Sequence, residues 1–456
     1  MSQPTPAPLT PAQPSPTQLR RVALSGLLGT AMEFYDFLLF GTLAALVFNK
    51  LFFPSLDPTV GTLAAFGSFT AGYLARPIGG VVIGHFGDRV GRKSMLMATM
   101  TTMGLASFLI GLLPTYAAIG IWAPVLLVLL RTVQGFAIGG EWGGAVLMTT
   151  EHAGSRRRGF WSSFTVMGGP LGSLLSTLAV LAVSWLPDKQ FLAWGWRLPF
   201  LFSIVLLAVG LFVRSRVTES PAFAAQKRNN PKPSRLPVLE VLRHPRNLVL
   251  TTGLGLGPLV IQALWSTFII TLAVKEGHAR STVLLVLAIG AAISLPILPA
   301  VAALSDRYGR RPVMFTGAVA TVVLAYPLFQ TLQSGSTAGM LAALLIGRCV
   351  LQPVMYAPWP AVTAESFGTN HRYTGASLGY QLSSMLGGGF SPLIASSLLA
   401  YGHGRTHYVA LFVAAAALTT IVCIWRIAET RDADLSPQEP ATSETGSRQE
   451  AEDPVG

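Results

Sequence analysis

Apolar runs of about twenty residues recur along almost the whole chain. Lipid cannot hydrogen-bond an open backbone N–H or C=O, so a run of that length has one stable solution, a helix that spans the bilayer. Runs that meet the length fall near 20–48, 60–84, 94–113, 121–148, 160–184, 194–213, 247–272, 282–304, 313–333, 338–361, 373–401 and 406–427. They predict an all-α membrane protein of about twelve spanning helices. Charged residues make up 11% of the 456, against roughly 25% in a soluble domain, and the mean hydropathy is +0.54.

The bases say which way the helices run. Arg20 and Arg21 precede the first span; Arg89, Arg92 and Lys93 follow the second; Arg156, Arg157 and Arg158 follow the fourth. Eight bases lie from Arg214 to Arg246, and Arg307, Arg310 and Arg311 follow the eighth span. The intervening loops hold only Lys50, Lys189, Lys275 with Arg280, and Arg405. Lys and Arg collect on the cytoplasmic side, so both termini are expected there. The net charge of +12 is therefore topological, and no nucleic-acid partner is expected. Cys349 and Cys423 lie inside apolar runs and read as packing residues, with no metal site implied.

Composition divides the chain. Residues 1–18 are rich in Pro, Ser, Thr and Gln, lack the layout of a signal peptide and read as a disordered tail. Residues 431–456 are polar and acidic and read likewise. Between them, 19–213 and 247–430 each hold six spans, joined by a polar cytoplasmic linker at 214–246. Leu236 to Leu242 in that linker suits a short interfacial helix.

The two halves repeat one another. Gly84-His85-Phe86-Gly87-Asp88-Arg89-Val90-Gly91-Arg92-Lys93 is echoed by Ser305-Asp306-Arg307-Tyr308-Gly309-Arg310-Arg311. Each reads as a tight turn in which glycine permits the reversal and the bases fix the side. Asp88 suits a cap on the following helix or a pair with a neighbouring Arg. Arg131 matches Arg348, and Glu151 with Arg157 matches Glu365 with Arg372; the two Glu–Arg pairs, together with Arg76, read as structural charges. One offset of roughly 215 residues serves all three motifs, as two parallel repeats require.

Few ionisable side chains lie inside the spans. Each costs about 2.5 kcal/mol or more at mid-helix, which makes each a functional candidate. Span one carries Glu33 and Asp36, whose i, i+3 spacing places both carboxylates on one face. Arg76 is read near the cytoplasmic end of span two; Arg131 and Glu141 lie in span four, and Arg348 in span ten. No His or Lys lies at mid-membrane, so proton coupling would fall to Asp36, Glu33 and Glu141. Burial favours the neutral acid and a nearby guanidinium favours the anion, a workable proton switch. A static ion pair between spans one and four is the alternative, and for Glu141 a close helix contact. Arg131 and Arg348 are expected to face each other at the midplane, where two guanidiniums suit an anionic or zwitterionic substrate. Tyr35, Gln134, Gln262, Trp265, Gln352, Tyr356, Trp359 and Gln381 could line that cavity, with ordinary packing the alternative for any one. Gly168-Gly169-Pro170-Leu171-Gly172 reads as a hinge in span five.

The paired turns resemble the signature loops of the major facilitator superfamily. Met32-Glu33-Phe34-Tyr35-Asp36-Phe37, Ala75-Arg76-Pro77-Ile78-Gly79-Gly80, Gln134-Gly135-Phe136 through Gly139-Gly140-Glu141-Trp142-Gly143-Gly144, Gly195-Trp196-Arg197-Leu198-Pro199-Phe200 and Glu219-Ser220-Pro221-Ala222-Phe223 together resemble its metabolite:proton symporter family. The resemblance runs over about 20–430, with Phe34 where that family usually has Trp. It implies two pseudo-symmetric six-helix bundles in a bacterial inner membrane. It also implies import of an organic acid, or of a zwitterion such as proline or betaine. Alternating access would be driven by a proton gradient, with no cofactor and with the monomer as the working unit. The turn residues Gly84, Asp88, Arg89, Gly91, Arg92, Asp306, Arg307, Gly309 and Arg310 would gate the cytoplasmic side. The C-terminal tail lacks the heptads of an osmosensing coiled coil.

A proton-coupled exporter of the same fold is the rival reading. It would favour an apolar cavity and the full span-five motif G-x-x-x-G-P, which is broken at Phe164-Thr165. A membrane enzyme or sensor is a further rival, but the spans show no catalytic constellation and the tails are too short for an output domain.

Overall fold

A computed structural model describes residues 16–90, 92–139, 146, 149, 157–215, 241–243, 245–367 and 372–431. Gly91, Glu141, Glu151, most of the expected linker, and both expected tails apart from 16–18 and Arg431 lie outside the described residues. So do the side chains of Asp88, Arg89, Arg92 and Arg372.

Among the described residues twelve helical spans follow in order. The first half holds α1 Pro16–Leu43, α2 Pro58–Val90, α3 Arg92–Leu112, α4 Trp122–Ile138, α5 Arg158–Ser184 and α6 Leu198–Ser215. The second holds α7 Pro245–Ala263, α8 Arg280–Tyr308, α9 Arg310–Gln333, α10 Thr337–Leu344, α11 Arg372–Ser383 and α12 His407–Arg426. Nine of the described spans are long and apolar enough to cross a bilayer, with shorter apolar stretches at Met97–Leu112 and Trp122–Ile138. Four spans continue through a wider π turn: α1 through Ala44–Phe48, α7 through Leu264–Phe268, α10 through Leu345–Leu351 and α11 through Ser384–Gly389. Beyond its π turn, α10 goes on through Gln352–Tyr356 to Trp359–Glu365.

One expected boundary needs correction. α1 starts at Pro16, inside the stretch read as tail; proline lacks only an N–H that a first helical turn leaves unpaired anyway. Most of the first signature stretch is helical, which leaves its expected tight turn to the gap between α2 and α3. α2 stays helical through Val90 and α3 begins at Arg92. In the second half Gly309 alone separates α8 from α9, at φ 103°, where a side chain would be strained. The Glu429 carboxylate accepts the backbone N–H groups of Arg310 and Arg311, both at 3.0 Å, and so caps α9.

The halves meet along two seams. α5 lies against α1 of its own half and α8 of the other, while α2 lies against α11. Glycines set the approach of the helices. A Cβ on Gly135 of α4 would overlap the Gly72 carbonyl of α2, and one on Gly172 of α5 would overlap the Ala31 carbonyl of α1. α5 runs unbroken through Pro170, so the Gly168–Gly172 stretch serves close packing where a hinge was expected.

Candidate functional site

Glu33 and Asp36 do share one face of α1, and both are buried, at 1% and 4% exposed. Each meets its own arginine. Glu33 Oε1 lies 4.0 Å from Arg76 Nη2. Asp36 lies within electrostatic reach of Arg131 and hydrogen-bonding reach of Ser107. The Phe37 ring contacts both cations, with Arg76 at 3.9 Å and Arg131 at 3.5 Å from its centre. Cation–π contact of this kind gains strength where water is excluded.

Arg131 is enclosed by its own half. It donates to Gln134 Oε1 at 3.1 Å, and Gln134 donates to Ser107 at 2.5 Å. Its Nε and Nη2 have no hydrogen-bond partner among the described residues. Arg348 sits on the π turn of α10. It donates to Ser173 Oγ of α5 at 2.5 Å and to the Trp265 carbonyl at 3.5 Å. The expected meeting of Arg131 with Arg348 is therefore not found: Arg348 reaches across a seam, and the partners of Arg131 lie in the first half.

Arg76 takes the bridging place that Arg131 was expected to hold. It donates to Ser384 Oγ of α11 at 3.1 Å, across the second seam. Arg76 stands near the middle of the 33-residue α2. Sequence reasoning singles out none of Tyr73, Ser173 and Ser384. Ser173 follows Gly172 and Ser384 precedes Gly387, Gly388 and Gly389, so pattern alone files both serines with small packing residues.

Two small cavities lie between the halves, each leaving about 20 Å³, room for about one water molecule. One is lined by Arg76, Tyr73, Gln262, Tyr380 and Ser384; the other by Arg348, Gln352, Tyr356, Gln262 and Ser294. Gln262, Gln352 and Tyr356 thus lie where expected. Trp265 lines neither and contributes its carbonyl, its ring being stacked on Phe329. Trp359 donates to the Thr251 carbonyl at 3.1 Å and packs within its own half. Tyr35 is tied by its hydroxyl to the Pro199 carbonyl at 2.8 Å, away from both cavities. Gln381 bridges the halves by donating to the Gly139 carbonyl at 2.8 Å.

One end of the molecule is closed by the second signature stretch. Asp306 accepts the backbone N–H groups of Gly159 and Phe160 at 3.0 and 2.9 Å. It thereby caps α5 of the opposite half, where a cap on the following helix was the expectation for its counterpart Asp88. Arg310 holds Asp306 at 2.7 Å and Glu365 at 3.3 Å, and Thr430 donates to Glu365 at 2.7 Å. Glu365 is thus engaged by Arg310 and Thr430; the side chain of Arg372, its expected partner, lies outside the described residues. Arg157 is exposed ahead of α5. Arg307 lies over the Tyr308 ring and its carbonyl accepts from Arg431 at 2.9 Å. The opposite end of the molecule stays open as a vestibule of about 820 Å³ between the halves.

The chain compares closely with known proteins. The sequence model of the Major Facilitator Superfamily matches residues 27–378 and 266–452. The chain is 43% identical to the shikimate transporter of Escherichia coli K12 over 407 residues, which covers 88% of this chain and 93% of that protein. It is 33% identical to the proline/betaine transporter of the same organism over 449 residues, covering 94% and 87%. A crystal structure of a D-xylose-proton symporter superposes with a TM-score of 0.71 at 17% identity, covering 91% of this chain and 99% of that one.

Proposed function

This chain belongs to the major facilitator superfamily and is a multi-pass membrane transporter, and from that premise we propose that it imports a small carboxylate-bearing metabolite together with a proton across a bacterial inner membrane. Arg348 carries the reading. It is a buried guanidinium that crosses the seam to a neutral hydroxyl and lines a closed central cavity. Among the described residues no carboxylate lies within ion-pair distance of it. A substrate carboxylate would exchange that neutral acceptor for a charge-assisted, bidentate one.

Alternating access needs cross-half bonds that can break and reform. Arg348 to Ser173, Arg76 to Ser384 and Asp306 to α5 are such bonds. Glu33 and Asp36 are the proton sites of this scheme. A proton on Glu33 removes the charge that helps hold Arg76, and Arg76 is the group that grips the opposite half. Proton binding and rocking of the halves are thereby one event. Asp306 and Arg310 hold the cytoplasmic side shut while the outer side receives substrate.

Uptake into proteoliposomes under an imposed pH gradient tests this, with shikimate, α-ketoglutarate, citrate, proline and betaine as the panel. Uptake of one compound that a protonophore stops is the expected result. Efflux of a lipophilic cation with no uptake of the panel would replace it with the exporter reading.

A further inference from the structure

Positive charge belongs on the cytoplasmic loops of such a chain, so the bases on the outer loops need another reason. Two of them, Lys50 and Lys275, occupy matching places in the two halves. Each stands in the last turn of the first span of its half, just beyond a π turn. Both line the outer vestibule, together with Arg280 and a single carboxylate, Asp188. That carboxylate is already engaged: Arg280 holds it at 3.2 Å, donates to the Ser184 carbonyl at 2.9 Å and lies over the Phe191 ring. Lys50 and Lys275 form no ion pair among the described residues. The neighbouring carboxylates Asp57 and Glu276 do not line the vestibule.

A lysine at a helix C-terminus is favoured by the helix dipole alone. That does not account for the cavity the two lysines share. At about 820 Å³ the space falls in the range of small-molecule sites, roughly 300–1,000 Å³. The central cavities hold about one water each, so a ligand that meets the protein in this conformation meets it here.

We propose that the outer vestibule is a separate recognition site for a small carboxylate anion, with Lys50 and Lys275 taking the carboxylate, ahead of its transfer to Arg348. This rests on the transport reading for its final step only. The site selects anions over zwitterions before the centre opens, because an ammonium group meets two uncompensated lysines.

The test is equilibrium binding by titration calorimetry to the full chain in nanodiscs, with shikimate and its uncharged methyl ester as probes. Two unit charges beside the carboxylate together give on the order of tenfold in affinity in a water-like dielectric. The Lys50→Gln/Lys275→Gln protein should therefore bind shikimate roughly tenfold more weakly than wild type at about 0.01 M salt, and about equally at about 1 M, where the screening length falls to about 3 Å. The ester should not distinguish the two proteins. Equal shikimate affinity in both proteins at low salt, or no binding to wild type, overturns the site. Lysine-dependent binding without any proteoliposome uptake would retain the vestibule and sink the transport reading. Uptake with lysine-independent binding would do the reverse.

Discussion

Arg348 of α10 and Ser173 of α5 share a 2.5 Å hydrogen bond across the boundary between the two halves. A cation that costs several kcal/mol to bury is thus held, in this conformation, by a group that brings no countercharge. Arg348→Ala should abolish uptake, and Arg348→Lys should raise KM by about tenfold or more, since lysine lacks the planar fork. Ser173→Ala removes only the resting acceptor and should leave uptake measurable. Normal uptake kinetics in Arg348→Ala would remove the residue from the site.

Glu33→Gln mimics the permanently protonated acid. It should keep counterflow, the exchange of labelled for unlabelled substrate, and lose accumulation driven by a pH gradient. Asp36→Asn provides the comparison, because Asp36 faces Arg131 and Ser107 rather than Arg76. Gradient-driven accumulation by Glu33→Gln at the wild-type level would take the coupling role from it.

Arg131→Ala is expected to act on stability as well as transport. It empties the space beside Phe37 and Phe40, and truncating a large buried side chain costs about 2–5 kcal/mol. Thermal unfolding in detergent should show a midpoint well below that of Arg348→Ala. Equal midpoints would mean that Arg131 is not the internal brace described here.

The Asp306 closure can be weakened at one atom. Asp306→Asn keeps the shape and removes the charge that faces α5 and Arg310. About 1.4 kcal/mol corresponds to roughly tenfold in the balance of states. Ala302→Cys, at a buried position opposite Gly159, places a reporter thiol behind the closure. In the Asp306→Asn background that thiol should react roughly tenfold faster with an impermeant reagent from the cytoplasmic side. An unchanged rate would show that Asp306 does not hold the closure.

Voltage separates the substrate classes. One proton with a monoanion moves no net charge, whereas one proton with a zwitterion gains about 2.3 kcal/mol per 100 mV, roughly 50-fold in accumulation. The carboxylate reading therefore expects uptake indifferent to a potassium diffusion potential. A strong response would favour a zwitterion.

The fold was legible because hydropathy and loop charge are local properties, and the twin signature stretches disclosed the two-half plan. The pairing of Glu33 and Asp36 on one face followed from helical spacing alone. Which arginine each would meet did not, since that depends on how α1, α2 and α4 pack against one another. Ser173 and Ser384 were invisible for a different reason: a serine becomes a ligand for arginine only through the seam it happens to face. The trans-acting cap of Asp306 on α5 likewise has no signature, because half of it consists of backbone N–H groups.

The π turns in α7, α10 and α11 have a consequence for mutagenesis. Each fits an additional residue into the helix, so everything beyond it is swivelled by about 100° from where uninterrupted α-helical counting would put it. Arg348 lies within such a turn, and Gln352 and Tyr356 follow it. Excising one residue, Ile346 for instance, lets α10 relax to ordinary α-helix and reorients Gln352 and Tyr356 as a block while every side chain keeps its identity. In these three helices the informative lesion is a one-codon deletion, a class of variant that alanine scanning never samples.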